Sequence, residues 1–291
     1  MIRYKIFIFL FIFTSVVGRV AGQDLMDLLK DEKPKTDYAF ATFKTTRIVL
    51  GQSIESPAKG TLQFLVEHNF GKLNEGAYAM WGLDRSTIRL GLEYGINQWL
   101  SVGVGRSSEK KTFDGSVKVK LLRQSSGERN MPVSMSFYGG TMLQSLKWAD
   151  PLRTNYFSSR LSFVSQLLIA RKFSNAFSLQ ISPTYIHKNL VPLRTDQNDI
   201  FAVGIGGRVK VSQRTTLNGE YFYLLPGAAA DNYVNCLSVG VDVETGGHVF
   251  QFRLTNAQPM FERAFITETT DKWLDGGIYF GFTINRVFTV N

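Results

Sequence analysis

Residues 275–288 read DGGIYFGFTINRVF, with Ile278, Phe280, Phe282, Ile284 and Phe288 on one face and Tyr279, Gly281, Thr283 and Asn285 on the other. That period of two belongs to a strand with one apolar and one polar side. An edge strand this apolar would aggregate in water. Closed into a barrel, with lipid outside and polar side chains within, it leaves no edge unpaired.

The same alternation recurs from residue 61 onward. Leu62, Phe64, Val66 and His68 share a face; Ile88, Leu90, Leu92 and Tyr94 oppose Arg89, Gly91 and Glu93; Phe201, Val203, Ile205 and Val209 oppose Gly204, Gly206, Arg208 and Lys210. About twelve such segments follow one another, each of about ten residues, the length that crosses a bilayer when tilted. Alternate connections are tight (97–98, 174–176, 212–215, 246–247) and those between are mostly long (71–85, 146–159, 188–198, 226–234, 258–274). Short turns on one side and long loops on the other mark an outer-membrane barrel. Two connections depart: 108–110 is short where a long loop is expected, and 125–132 is long for a turn. Aromatic residues near segment ends, Tyr94, Trp99, Tyr185, Tyr221 and Tyr223, suit the interfacial girdles of a membrane barrel better than a soluble sandwich.

The fold class expected is all-β, an antiparallel transmembrane up-and-down β-barrel of about twelve strands. The chain divides into a signal peptide over 1–22, a periplasmic amino-terminal segment over 23–60 and the barrel over 61–291. Arg3 and Lys5, the apolar run 6–13 and the small residues Val20, Ala21 and Gly22 compose an export signal cleaved before Gln23. A brief amphipathic helix begins the mature chain, and the charged run 30–35 is a linker. Residues 41–55 are strand-like, but counting them as a spanning strand breaks even parity, so they are placed inside or beneath the barrel as a candidate plug.

The lone Cys236 forms no internal disulfide or cysteine metal site and serves as packing. The net charge of +9 is spread along strands and loops rather than gathered into a patch, which speaks against nucleic acid.

Asp275, Gly277, Phe280 and Phe282 match the carboxy-terminal assembly signal of outer-membrane barrels, polar-x-Gly-x-x-aromatic-x-aromatic, although the chain continues to Asn291. The run 83–124, LDRSTIRLGLEYGINQWLSVGVGRSSEKKTFDGSVKVKLLRQ, with FKTTRIVLGQSIE before it and FGFTINRVF at the end, resembles an outer-membrane β-barrel domain family of unknown function from Gram-negative bacteria. The resemblance implies fold and location, with outer-membrane lipid and the barrel assembly machinery as partners. It supplies no catalytic residue.

The residues themselves offer little chemistry. His68, His187 and His248 lack the His-x-Ser arrangement of outer-membrane phospholipases and are assigned to the rim. No spacing suggests a metal or cofactor. Asp84-Arg85 and Asp114-Gly115 are read as loop and turn residues. By alternation, Arg89, Lys118, Lys120, Arg160, Arg208, Lys210 and Arg253 face the lumen with Glu93, Glu220, Asp242 and Glu244. In one reading these charges pair and fill a narrow barrel; in the other they line a small pore favouring an anionic solute. Barrel size leaves both open, and the paired reading is preferred. Two alternatives of other classes remain: an adhesin or receptor using the long loops, with Trp148, Phe261 and Trp273 as contacts, and a lipid-acting barrel hydrolase.

Overall fold

The computed structural model describes residues 35–290, so the expected signal peptide and the amphipathic helix lie outside the described residues. Twelve antiparallel strands, β1 (Thr61–Lys72), β2 (Ser86–Gly95), β3 (Leu100–Ser107), β4 (Thr112–Leu122), β5 (Ser134–Gln144), β6 (Leu161–Lys172), β7 (Phe177–Lys188), β8 (Asp199–Lys210), β9 (Thr215–Leu224), β10 (Cys236–Thr245), β11 (His248–Thr255) and β12 (Tyr279–Thr289), close into an up-and-down barrel. Closure is made by β12 on β1, with Ile284 opposite Val66 and Thr289 opposite Thr61. A separate small unit holds the two-residue ladder Asp37–Tyr38 with Ser125–Ser126.

Strand alternation sets what faces lipid. Leu90, Val104, Phe113, Ile181, Phe201, Ile205, Leu217 and Phe252 are all exposed. A belt this apolar on a soluble protein would be a large sticky patch; around a barrel it is the lipid-facing band. The tight turns are built by their own side chains. Asn97 Oδ1 accepts the N–H groups of Trp99 and Leu100 at 2.9 and 2.8 Å, and the Ser174 hydroxyl oxygen accepts those of Ala176 and Phe177 at 3.2 and 3.1 Å. Such local capping is why Asn and Ser recur in turns.

Residues 42–56 lie inside the barrel. An antiparallel bridge between Arg47 and Gln52, with Ile48 N–H donating to the Gly51 carbonyl at 2.8 Å, folds them into a tight hairpin whose tip is Val49-Leu50-Gly51. Phe43, Ile48, Val49, Leu50 and Ile54 are buried. The stretch is therefore a hairpin held within the ring of strands. It leaves at the end where β1 begins and β12 finishes, where Lys59 bridges Gly95, Gly60 N–H donates to the Gly95 carbonyl at 2.8 Å and Val290 N–H donates to the Gly60 carbonyl at 2.9 Å.

A second segment enters from the opposite end. The connection between β11 and β12 carries a short helix, α1 (Glu262–Thr267), all six of whose residues are buried. Phe265 meets Phe222 of β9 edge-on with ring centroids 5.2 Å apart. The wall facing these insertions is apolar: Met142, Val164, Leu168, Ile186, Ala202, Phe222 and Leu224 point inward and are buried. The interior is thus half hydrocarbon and half charge.

Cys236 also points inward, fully buried, with Sγ 3.7 Å from Ser238 Oγ and 3.9 Å from Thr255 Oγ1. A maleimide reagent is expected to leave it unmodified in the folded protein and to label it after denaturation. Labelling of the folded barrel, followed by mass spectrometry, would contradict a filled interior at this position.

Candidate functional site

The candidate site is the charged part of the lumen, carried by β8 to β12 and β1 to β4. Alternation brings charged side chains into a low-dielectric space, where an isolated charge costs several kcal/mol and partners are needed. Arg89 of β2 sits between two carboxylates on the neighbouring parts of the wall. Its Nε and Nη2 bond Asp114 of β4 at 3.0 and 2.6 Å, and Nη1 bonds Glu67 of β1. All three side chains are buried. Arg253 of β11 has no carboxylate partner among the described residues; it donates to Asn69 Oδ1 at 2.8 Å, Thr283 Oγ1 at 2.6 Å, the His68 carbonyl at 3.2 Å and Met260 Sδ at 3.1 Å. Asp242 accepts from Gln251 Nε2 at 3.0 Å and Thr216 Oγ1 at 3.3 Å.

The remaining lumen groups hold the hairpin. Glu220 of β9 accepts the consecutive N–H groups of Val49, Leu50 and Gly51, the Leu50 bond being 2.7 Å. A carboxylate cradled by three backbone N–H groups is the strong, charge-assisted form of this bond. Arg47 pairs with Glu93 at 2.9 Å, Lys118 Nζ donates to the carbonyls of Ser53 and Glu55 at 3.1 and 2.9 Å, and Arg208 Nη1 donates to the Ala41 carbonyl at 2.8 Å. Lys44 pairs with Glu244 at the exit. At the inner end, Gln180 Nε2 donates to the Gln52 carbonyl at 2.7 Å, and Gln52 Nε2 donates to Glu262 Oε1 of α1 at 2.7 Å. The two inserted segments therefore touch within the ring of strands.

Of the lumen residues expected from alternation, Arg89, Glu93, Lys118, Arg208, Glu220, Asp242 and Arg253 are buried inside, and Lys120 borders a cavity of about 430 Å³ beside the hairpin. The other three lie at or beyond strand ends. Lys210 is exposed at the last position of β8, and Glu244, also exposed, pairs with Lys44 of the hairpin near the end of β10. Arg160 precedes β6 rather than lying in it and stacks over the Trp148 ring at 4.2 Å, because the connection closes with a short turn over Phe157–Arg160. Asp114 and Gly115, read as turn residues, lie within β4, and Asp114 is the bidentate partner of Arg89. Phe261, a suggested loop contact, is 1% exposed and packed in the interior. Glu67 and Asn69 escaped notice although they oppose Val66 and His68 on β1 and so follow the same alternation.

In the assembly motif, Phe280 and Phe282 face outward from β12, stacking on Phe70 and His68 at 5.9 and 5.2 Å, while Asp275 closes a short turn before it. His187 and His248 stand at strand ends, near Asp199 and Arg286, and His68 faces outward within β1. Among the described residues no group of three or more His, Cys, Asp or Glu side chains could hold a metal ion.

Just after α1, Glu268 pairs with Arg263 at 2.6 Å, Lys110 at 2.9 Å and Lys188 at 3.3 Å. Burial alone would raise the Glu268 carboxyl, but Arg263, Lys188 and Lys110 outweigh it and bring it down to about 2. A carboxyl depressed on folding contributes stability above its unfolded value, and that contribution is lost as pH falls towards the folded one. Protease resistance of the 256–277 connection is expected to hold from neutral pH to about 4.5 and to fall between there and about 2, with Glu268→Gln removing this dependence. An identical acid profile in the variant would contradict the assignment.

Residues 43–288 match the family model described as a membrane bound beta barrel domain, DUF5777. Among solved structures, the COG4313 outer membrane channel from Pseudomonas putida F1 is similar with a TM-score of 0.50 at 13% identity, covering 80% of this chain and 97% of that one. The NanC porin gives a TM-score of 0.47 at 7% identity over 79% of this chain and 100% of its own, and the KdgM porin 0.46 at 9% over 79% and 99%. At such identities the likeness is one of fold. Among curated proteins none matches the sequence.

Proposed function

The chain belongs to the membrane-bound β-barrel domain family, and from that premise we propose that it is a non-catalytic conduit of the Gram-negative outer membrane, reached by signal-directed export and assembly, and closed by its own hairpin in the conformation described. One observation carries this reading. Among the described residues no backbone ladder joins 42–56 to a barrel strand; the wall holds the hairpin through side chains alone. The hairpin can therefore leave without breaking a single rung of the barrel, whose strands already pair all the way round.

A structural barrel has no need of a removable filling, whereas a conduit does. The inward acids Glu67, Glu93, Asp114, Glu220 and Asp242 offset the inward cations closely, so anion preference is not part of the proposal. A surface adhesin is less well supported, since Phe261 is buried.

The test is efflux of a small zwitterionic amino acid from liposomes holding the full chain or a variant lacking residues 39–57. The full chain should retain the solute and the shortened one should release it. Equal retention by both, with folded barrels shown by heat-dependent gel mobility, would overturn the conduit reading.

A further inference from the structure

We propose that the end of the barrel from which α1 enters holds a binding site for a small organic anion with an apolar body, in the cavity between α1 and the β4 to β7 wall. The cavity measures about 270 Å³, just below the range occupied by drug-sized ligands. Its lining brings Lys147, Arg160, Lys188 and Arg263 together with Trp148, Met142 and other apolar side chains, and no acidic residue lines it. Four lining cations, of which Lys188 and Arg263 share the adjacent Glu268, stand beside an indole and thioether wall and fit a molecule that is charged at one end and apolar at the other.

Two of the cations are not free to swing into solvent. Lys188 is 5% exposed and Arg263 8% exposed. Their acidic neighbour is Glu268, which they share with Lys110. One carboxylate thus answers three cations, leaving positive charge in excess at a buried place where an unpaired charge is costly. Arg263 spends Nη1 on Glu268, while its buried Nη2 has no hydrogen-bond partner among the described residues. Buried donors are ordinarily satisfied, so an orphaned guanidinium nitrogen calls for an acceptor. Arg160 is held ready on the other side: its Nη1 donates to the carbonyls of Gln144 and Leu146 at 2.8 and 2.5 Å while its plane stacks on Trp148. A carboxylate reaching Arg263 and Arg160, with its apolar portion against Trp148 and Met142, satisfies both needs.

No residue of the hairpin lines this cavity, so the failure of this site and that of the conduit reading are separable. The test is calorimetric titration of the full-length refolded protein in detergent at low ionic strength, with benzoate as probe and benzyl alcohol and inorganic phosphate as controls. Benzoate should bind saturably, and benzyl alcohol, which lacks the charge, should bind at least about tenfold more weakly. Phosphate, which lacks the apolar body, should also bind more weakly than benzoate. Arg263→Gln and Arg160→Gln should each weaken benzoate about tenfold. If Arg263→Gln fails to fold because the loop loses its tie to Glu268, Arg160→Gln decides alone. Absence of saturable benzoate binding, benzyl alcohol or phosphate binding as tightly as benzoate, or unchanged affinity in the folded arginine variants would each overturn the proposal.

Discussion

Replacing Arg89 with alanine is expected to destabilise the folded barrel by about 3–5 kcal/mol, the cost of leaving buried charge without its partner. The figure lies at the upper end for a point substitution because Arg89 neutralises two carboxylates at once. Glu67 and Asp114 are 0% and 8% exposed, and neither reaches bulk water when the guanidinium is gone. Arg89→Lys should recover only part of the loss, since an ammonium cannot replace the bidentate contact with Asp114 while also reaching Glu67. The triple variant Arg89→Ala, Glu67→Gln, Asp114→Asn should recover more, because a neutral amide costs less to bury than an unpaired carboxylate. The midpoint of urea unfolding, followed by heat-dependent gel mobility in detergent, measures each step. An unchanged midpoint for Arg89→Ala would mean that the interior is wetter than the geometry shows.

Glu220→Ala acts on the hairpin rather than on the ring. It leaves the N–H groups of Val49, Leu50 and Gly51 without their acceptor, and each orphaned donor costs about 1–3 kcal/mol where water does not replace it. A combined cost of about 3 kcal/mol shifts the hairpin's seating equilibrium by about a hundredfold. The ring itself keeps all its rungs, so the variant should fold and insert normally while amide exchange at residues 47–52 accelerates. Glu220→Gln, which retains a carbonyl acceptor of the same shape, should have a smaller effect. Gly51 is placed under the same constraint: a Cβ there would lie 2.8 Å from the Phe222 ring and 3.1 Å from Glu220 Oε2, so Gly51→Ala should push the tip away in the same sense. Unaltered exchange in Glu220→Ala would remove the carboxylate cradle from the account.

Most of the ring could be read from residue order because strand geometry has a period of two and each wall position faces either lipid or lumen. Ile88 to Tyr94 carries that pattern without interruption, and Phe201 to Val209 departs from it only at the inward Ala202 and the outward Gly207. The same alternation identified Arg89 and Glu220 as inward, yet it could not reveal what they touch, since their partners are on other strands or on an inserted segment. Asp114 was misread for a related reason: an Asp-Gly pair is a strong turn signal, and only its place opposite Gly105 and Met142 in the sheet overrides it. The apolar half of the interior did leave a trace. In β6 the run Phe163-Val164 and Leu167-Leu168-Ile169-Ala170 is apolar on both faces, as is Phe222 between Tyr221 and Tyr223, the habit of strands covered on both sides. The charged interior was anticipated by period; the covering of Val164, Leu168 and Phe222 by α1 and the hairpin requires knowing that a loop turns inward.

The segment 41–55 shows where period alone stops. Its alternation over Arg47, Val49 and Gly51 resembles a strand, but the spatial bridge of Arg47 to Gln52 makes it a turn. Parity of the chain ends argued against a thirteenth strand, and the three N–H groups gathered by Glu220 supply the physical reason that the tip stays inside.

The measurement that bears most directly on closure by the hairpin is single-channel current across a planar bilayer, comparing the full chain with the variant lacking residues 39–57. The account predicts a closed baseline with at most brief openings for the full chain and a sustained conductance for the shortened one. Steady conductance through the full chain would show that the hairpin does not seal the barrel. Silence from a folded, inserted, shortened chain would show that the interior is sealed without it.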